Sequence, residues 1–172
     1  PVLVIFDYDP STVGEMEAIS APLLDHLILL RHPRLAFIST SPTGAALAER
    51  FISGPLGGHA YQSGIQYVNL GFLPGGLAGI RAFAQAPRII APDTIDLNPA
   101  WQSAALQDVQ SLSDFSLLLL LTDSAESGRN WVEQAGALHD DVPFVVTSSA
   151  QAGPMILPYV QSGQINGLVN GL

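Results

Sequence analysis

Val2-Leu3-Val4-Ile5-Phe6-Asp7-Tyr8-Asp9-Pro10-Ser11 begins with five apolar residues and stops abruptly at two carboxylates and a hydroxyl. The pattern recurs along the chain. Leu35–Ile38 runs into Ser39-Thr40-Ser41, Ile65–Val68 into Asn69, Leu117–Leu121 into Thr122-Asp123-Ser124, and Phe144–Val146 into Thr147-Ser148-Ser149. Short apolar runs without polar alternation suit strands buried on both faces, the condition of a parallel sheet. Helical-looking stretches separate the runs, so right-handed βαβ crossovers follow. The expected fold class is α/β: one doubly wound, mostly parallel sheet of five to six strands with helices on both faces, a Rossmann-like or flavodoxin-like three-layer sandwich. Open α/β sheets bind ligands at the carboxyl ends of their strands. The polar residues that end these runs therefore mark where a site would lie.

Working outward, strands are expected at 2–7, 35–40, 65–70, 116–122, 143–147 and 165–169. Helices are expected at 13–31, 43–53, 74–84, 100–112, 127–138 and 154–161. The first should break or kink near Pro22, which lacks the amide an interior turn requires. The helix at 100–112 is read from Trp101, Ala104, Ala105 and Val109 on one face. Gly54–Gly64 reads as an exposed loop, and 86–99, with three prolines, as irregular. Neither a repeat nor a low-complexity tract interrupts residues 1–172, so a single domain is expected, excised from a longer protein.

The 172 residues carry fifteen Asp plus Glu against six Arg and no Lys, for a net charge of −9. Such a chain is repelled by phosphate backbones, so no nucleic-acid partner is expected. An anionic membrane surface is disfavoured for the same reason. A hydrophobic content of 48% and a mean hydropathy of +0.32 argue for a folded core. Even so, no apolar run approaches the roughly 20 residues of a membrane span. The absence of cysteine excludes disulfides, thiolate zinc sites and a cysteine nucleophile. It favours an extracytoplasmic domain of a bacterial membrane-associated protein, where stray thiols are a hazard.

An apolar strand followed by Asp7-Tyr8-Asp9-Pro10-Ser11 resembles the first motif of the haloacid dehalogenase-like phosphohydrolases. The resemblance implies Asp7 as nucleophile, Asp9 as acid/base, Ser39 or Thr40 as the hydroxyl that steadies phosphate, and Mg²⁺ held by Asp7, Asp9 and Asp123. A hard cation on carboxylate oxygens suits phosphoryl transfer. The resemblance covers about ten residues. The family's phosphate-binding lysine has no counterpart here, Arg81 matches it in charge but not in geometry, and Asp140-Asp141 precedes the fifth strand rather than following a late one. The residues alone equally allow Asp7 and Asp9 to be turn and cap residues, with Ser11 or Thr12 opening the first helix.

Gly71-Phe72-Leu73-Pro74-Gly75-Gly76-Leu77-Ala78-Gly79 opens a helix after the third strand, as anion-binding turns do, but lacks the spacing of a dinucleotide fingerprint. The glycines also suit close helix–sheet packing. Ser148 and Ser149 lie at the carboxyl edge without a nucleophile elbow. His26, His32, His59 and His139 read as surface or cap residues, with His32 at a helix C-terminus, and no histidine–carboxylate set suggests zinc.

The favoured function is a non-catalytic α/β domain that binds a small ligand or a protein partner through Asp7, Asp9, Ser11, Ser39, Thr40, Asn69, Gly75, Gly76, Asp123 and Ser148, with no resident cofactor or metal expected. It predicts an apolar surface patch near the helices or the Gly54–Gly64 loop, and homodimerisation is open. The alternatives are the Mg²⁺-dependent phosphohydrolase and a weak anion- or nucleotide-binding Rossmann-like domain.

Overall fold

The computed structural model describes residues 1–138 and 141–171; His139, Asp140 and Leu172 lie outside it. Six strands form one all-parallel sheet: β1 (Val2–Asp7), β2 (Leu35–Ser39), β3 (Tyr67–Phe72), β4 (Leu117–Thr122), β5 (Phe144–Ser148) and β6 (Gly167–Asn170). Their spatial order is β3-β2-β1-β4-β5-β6. This is the order of doubly wound folds, and its switch point falls between β1 and β4, where successive crossovers depart in opposite directions. The expected three-layer α/β architecture is the one observed.

The strands' side chains alternate between two cores. Val2, Val4, Phe6, Leu35, Phe37, Leu119 and Leu121 face α1 (Val13–Arg31) and α2 (Gly44–Ser53). Phe6 meets Phe37 and Phe51 edge-on, with ring centres 5.4 and 5.5 Å apart. Leu3, Ile5, Ile38, Val68, Leu118, Leu120 and Val146 face the other way. There they pack with α3 (Gly76–Gln85), α5 (Ala125–Gln134) and α6 (Gly153–Gln161); a single turn, α4 (Pro87–Ile90), follows α3. Period-two alternation with both faces covered explains why the strands read as unbroken apolar runs.

Three expectations need correction. Helix α1 passes through Pro22 unbroken. Pro22 and Ala18, four residues before it, are both exposed, so the carbonyl freed by the missing amide faces water. The stretch 100–112 is not an α-helix: Ala100–Gln102 makes a 3₁₀ turn, Ser103 is extended at φ −66°, ψ 152°, and Leu112 opens a second 3₁₀ turn. Tertiary contacts outweigh the helical pattern there. The Trp101 indole donates to the Ala91 carbonyl at 2.7 Å, and Ala105 N–H reaches the Gly64 carbonyl. Trp101, Ala105 and Val109 are buried as the pattern required, but by a folded loop. The segment 86–99, read as irregular, contains the turn α4. His32 does cap α1, in a left-handed conformation, with its N–H on the Ile28 carbonyl.

Candidate functional site

Asp7 ends β1 beside the switch point and is 5% exposed. Its Oδ1 accepts the Thr40 amide at 2.7 Å, and the Ser39 hydroxyl lies 3.0 Å away. Its Oδ2 accepts the Thr40 hydroxyl at 2.5 Å, the Ser127 hydroxyl at 2.7 Å and the Trp131 indole N–H at 2.7 Å. Ser39 Oγ carries one proton and stands nearer the Phe6 carbonyl, at 2.5 Å. Four donors therefore bind Asp7 without competition, and a carboxylate offers about four acceptor positions. The group is saturated by its own fold.

Two places in the fold supply the four donors. Thr40 follows β2, the neighbour of β1. Ser127 and Trp131 lie four residues apart on α5 and so project from one helix face toward one point. The Ser124 hydroxyl caps α5 on the Ser127 amide, which fixes where that face begins.

Asp9 and Asp123 are committed to the turn after β1. Asp9 Oδ1 accepts the Ser11 amide at 2.8 Å and caps the 3₁₀ turn Pro10–Thr12. That bond, followed by one from the Ser11 hydroxyl, holds the exposed Asp9 carboxyl below its ordinary range. Asp123 Oδ2 accepts the Asp9 amide at 2.9 Å and the Thr12 hydroxyl at 2.7 Å, tying the β1 turn to the end of β4. Among the described residues, no three His, Cys, Asp or Glu side chains converge as a metal-ligand set. Both Asp7 oxygens are engaged by protein donors, while Asp9 and Asp123 each commit one oxygen to the turn.

A depression of about 210 Å³ opens over these residues, lined by Asp7, Tyr8, Asp9, Thr40, Ser41, Asp123, Ser124 and Ser127. It is smaller than the roughly 300 Å³ at which small-molecule pockets usually begin. Three carboxylates ring the point where a dinucleotide fold would place pyrophosphate, an arrangement that repels anions. Tyr8 points into the α1–α2 core instead. Its hydroxyl is buried without a partner, and burial pushes the phenol up to about 12 against the opposing pull of Arg50.

The structure thus gathers Asp7, Asp9, Ser11, Ser39, Thr40 and Asp123 around one point. Asn69 lies farther along the sheet, where its amide donates to the Ala45 carbonyl and Glu49 and its oxygen accepts the Gly71 amide. Gly75 and Gly76 stand exposed before and at the start of α3, beyond edge strand β3. Their φ values of 95° and 53° are a conformational reason for glycine. Ser148 donates to Asn170 on the opposite side of the sheet. The sequence reading named Ser41 and Ser124 among the strand-end residues without assigning them to the site, and it missed Ser127 and Trp131. Ser127 and Trp131 were detectable: a buried indole needs an acceptor, and a serine one turn before it, just after Thr122-Asp123, marks the same face.

Comparison with protein-family models, with curated proteins and with solved structures finds no match for this chain, so its function rests on the chemistry of its own residues.

Proposed function

We propose that this is a non-catalytic α/β domain that acts by binding a small ligand or a protein partner. The observation that carries the reading is the engagement of both Asp7 oxygens. An attacking carboxylate must present a free lone pair to its electrophile; Asp7 Oδ2 accepts three donors, and Oδ1 accepts the Thr40 amide with the Ser39 hydroxyl 3.0 Å away over its remaining side. Asp9 serves as a cap and Asp123 as a tether, so the residues that resemble a phosphohydrolase motif act here as the struts of a turn. Apolar surface is exposed instead on a helix, at Met155 and Leu157 of α6, where a binding domain would present it. The cysteine-free composition fits an extracytoplasmic setting.

The test is calorimetric titration of Mg²⁺ and Mn²⁺ into the protein and its Asp7→Asn variant, together with turnover of p-nitrophenyl phosphate. The expected result is no saturable binding and no turnover by either protein. Saturable binding or turnover that disappears in Asp7→Asn would overturn the reading in favour of the metal-dependent hydrolase.

A further inference from the structure

The two edges of the sheet are finished differently. The outer side of β3 is occupied: Ser63 bridges to Tyr67, Gly64 N–H meets the Tyr67 carbonyl, and Ile95 N–H meets the Asn69 carbonyl. The opposite edge, β6, pairs with β5 alone among the described residues. An open edge is a template for another strand. Proteins usually blunt one with lysine, proline, a bulge or an inward charge. β6, Gly167-Leu168-Val169-Asn170, has none of these.

The surroundings of β6 are apolar on both faces. On one, α6 exposes Met155 and Leu157, and a groove of about 410 Å³ runs between α6 and β6, lined by Gly153, Pro154, Leu157, Val160, Leu168 and Asn170. On the other, α1 and α2 are the covering helices. Two helices of about 10 Å diameter span roughly four strands at about 4.8 Å spacing. Val169 is left 36% exposed and Val145 partly so.

Charge says what can occupy this edge. From Val142 to Leu172 the chain has no Asp, Glu, Lys, Arg or His, whereas the residues before it carry the whole net charge of −9. Of the carboxylates that reach this side from other elements, Glu15 accepts the Ala150 amide and Glu133 accepts the Tyr159 hydroxyl. Glu126 and Arg129 flank Met155 from α5. A basic partner would select the acidic surfaces elsewhere. A second copy, equally acidic, meets no like charge across β6 and would be repelled by the acidic surfaces of the rest of the molecule.

We propose that β6 pairs antiparallel with β6 of a second copy across a two-fold axis normal to the sheet. The two six-stranded sheets then join into one. That axis keeps Leu168 of both copies on one face, so the two α6 helices pack beside each other over the seam, and the same strand supplies both halves of a self-complementary interface.

The proposal goes beyond the binding-domain reading and is independent of metal affinity and turnover. Its test is sedimentation velocity from about 1 to about 200 µM on the protein and on three variants: Val169→Lys and Leu157→Glu at this edge, and Ile95→Lys at the other. The substituted side chains are exposed, and circular dichroism checks that each variant is folded. The expected result is a species of twice the 18.1 kDa chain mass in the parent and in Ile95→Lys, weakened by about tenfold or more in Val169→Lys and Leu157→Glu. A parent that stays monomeric throughout, a dimer untouched by both edge variants, or one broken only by Ile95→Lys would overturn the proposal.

Discussion

Replacing Asp7 with asparagine separates a structural carboxylate from a catalytic one by the sign of its effect on stability. Asparagine keeps the shape but exchanges one acceptor oxygen for an NH₂ donor. If that NH₂ takes the place of Oδ2, it faces Thr40 Oγ1, Ser127 Oγ and Trp131 Nε1. The two hydroxyls can rotate and accept, but the indole N–H cannot. With the amide flipped, the Thr40 backbone N–H loses its acceptor instead. Either way one obligate buried donor is orphaned, at a cost of about 1–3 kcal/mol, and the remaining bonds lose their charge assistance. The sum is about 3–5 kcal/mol, a large share of the roughly 5–15 kcal/mol that holds a domain folded. At about 2–4 °C per kcal/mol for a chain of this size, the melting temperature should fall by roughly 6–20 °C. Urea unfolding followed by circular dichroism measures this directly. Trp131→Phe, which removes the indole N–H and also the five-membered ring from a fully buried site, should cost about 2–4 kcal/mol. The double variant should cost less than the sum of the two, because both changes break the same bond. A catalytic carboxylate behaves in the opposite way, since its removal commonly leaves stability unchanged or raised. An Asp7→Asn variant within about 0.5 kcal/mol of the parent would refute the claim that Asp7 is a structural hub.

Tyr8→Phe removes a buried hydroxyl that has no partner, so neutral-pH stability should hold or rise by up to about 1 kcal/mol. The folded phenol titrates at about 12 against 10 when unfolded. Its contribution is therefore complete below pH 10 and is lost as pH rises toward 12, by roughly 2–3 kcal/mol. Alkaline denaturation should be less steep in the variant, with Tyr61, Tyr67 and Tyr159, whose phenols burial also raises, supplying the remaining slope. On the acid side, the Gln110 and then the Ser111 amide hold Asp114 below its ordinary range, as Ser11 does Asp9. The stability from these caps is present above the unfolded carboxyl range and lost as pH falls from there through the lower folded value, and urea midpoints of Asp114→Asn should show a shallower acid limb. A Cβ at Gly44 would overlap Ser39 Oγ and the Phe6 carbonyl, whereas one at Gly57 meets nothing. Gly44→Ala should cost about 1–3 kcal/mol and Gly57→Ala nothing measurable, read from thermal melts.

The fold was legible where burial on both faces wrote it into the chain. Leu117–Leu121 and Val2–Phe6 are apolar without interruption because each residue reaches one of two cores, and both are strands. Strand order was not legible, since nothing local in β1 distinguishes β2 from β4 as its neighbour. The helical pattern of 100–112 misled for a physical reason. Spacing reports which residues are buried, and Trp101, Ala105 and Val109 are buried, but a folded loop anchored by the Trp101 indole can meet the same demand. At the site, Asp7, Thr40 and Asp123 were legible as strand-end residues. Their state of satisfaction was not, because the donors that decide it, Ser127 and Trp131, lie more than a hundred residues from Asp7 in sequence.

A carboxylate at a parallel strand's end has two fates, and the count of donors around it decides between them. Left with free lone pairs, it can hold a cation, take a proton or attack an electrophile. Given four donors, it becomes a fixed anionic post on which neighbouring elements converge. Asp7 joins the end of β1 to the end of β2 through Thr40 and to α5 through Ser127 and Trp131, while Asp123 ties the β1 turn to β4. At the carboxyl tip of the sheet, where this strand order elsewhere hosts ligands, these side chains are thus bonded to one another beneath a depression of about 210 Å³. Polar groups whose bonding is complete have little to offer a partner, whereas an unpaired strand with apolar neighbours still has bonds to form and surface to bury. On the proposed reading that unmet demand lies at β6 and α6, at the opposite edge of the sheet from β3 and on a stretch of chain without charge. On the proposed reading, the balance of satisfied and unsatisfied groups moves the work of the domain from the tip of its sheet toward its edge.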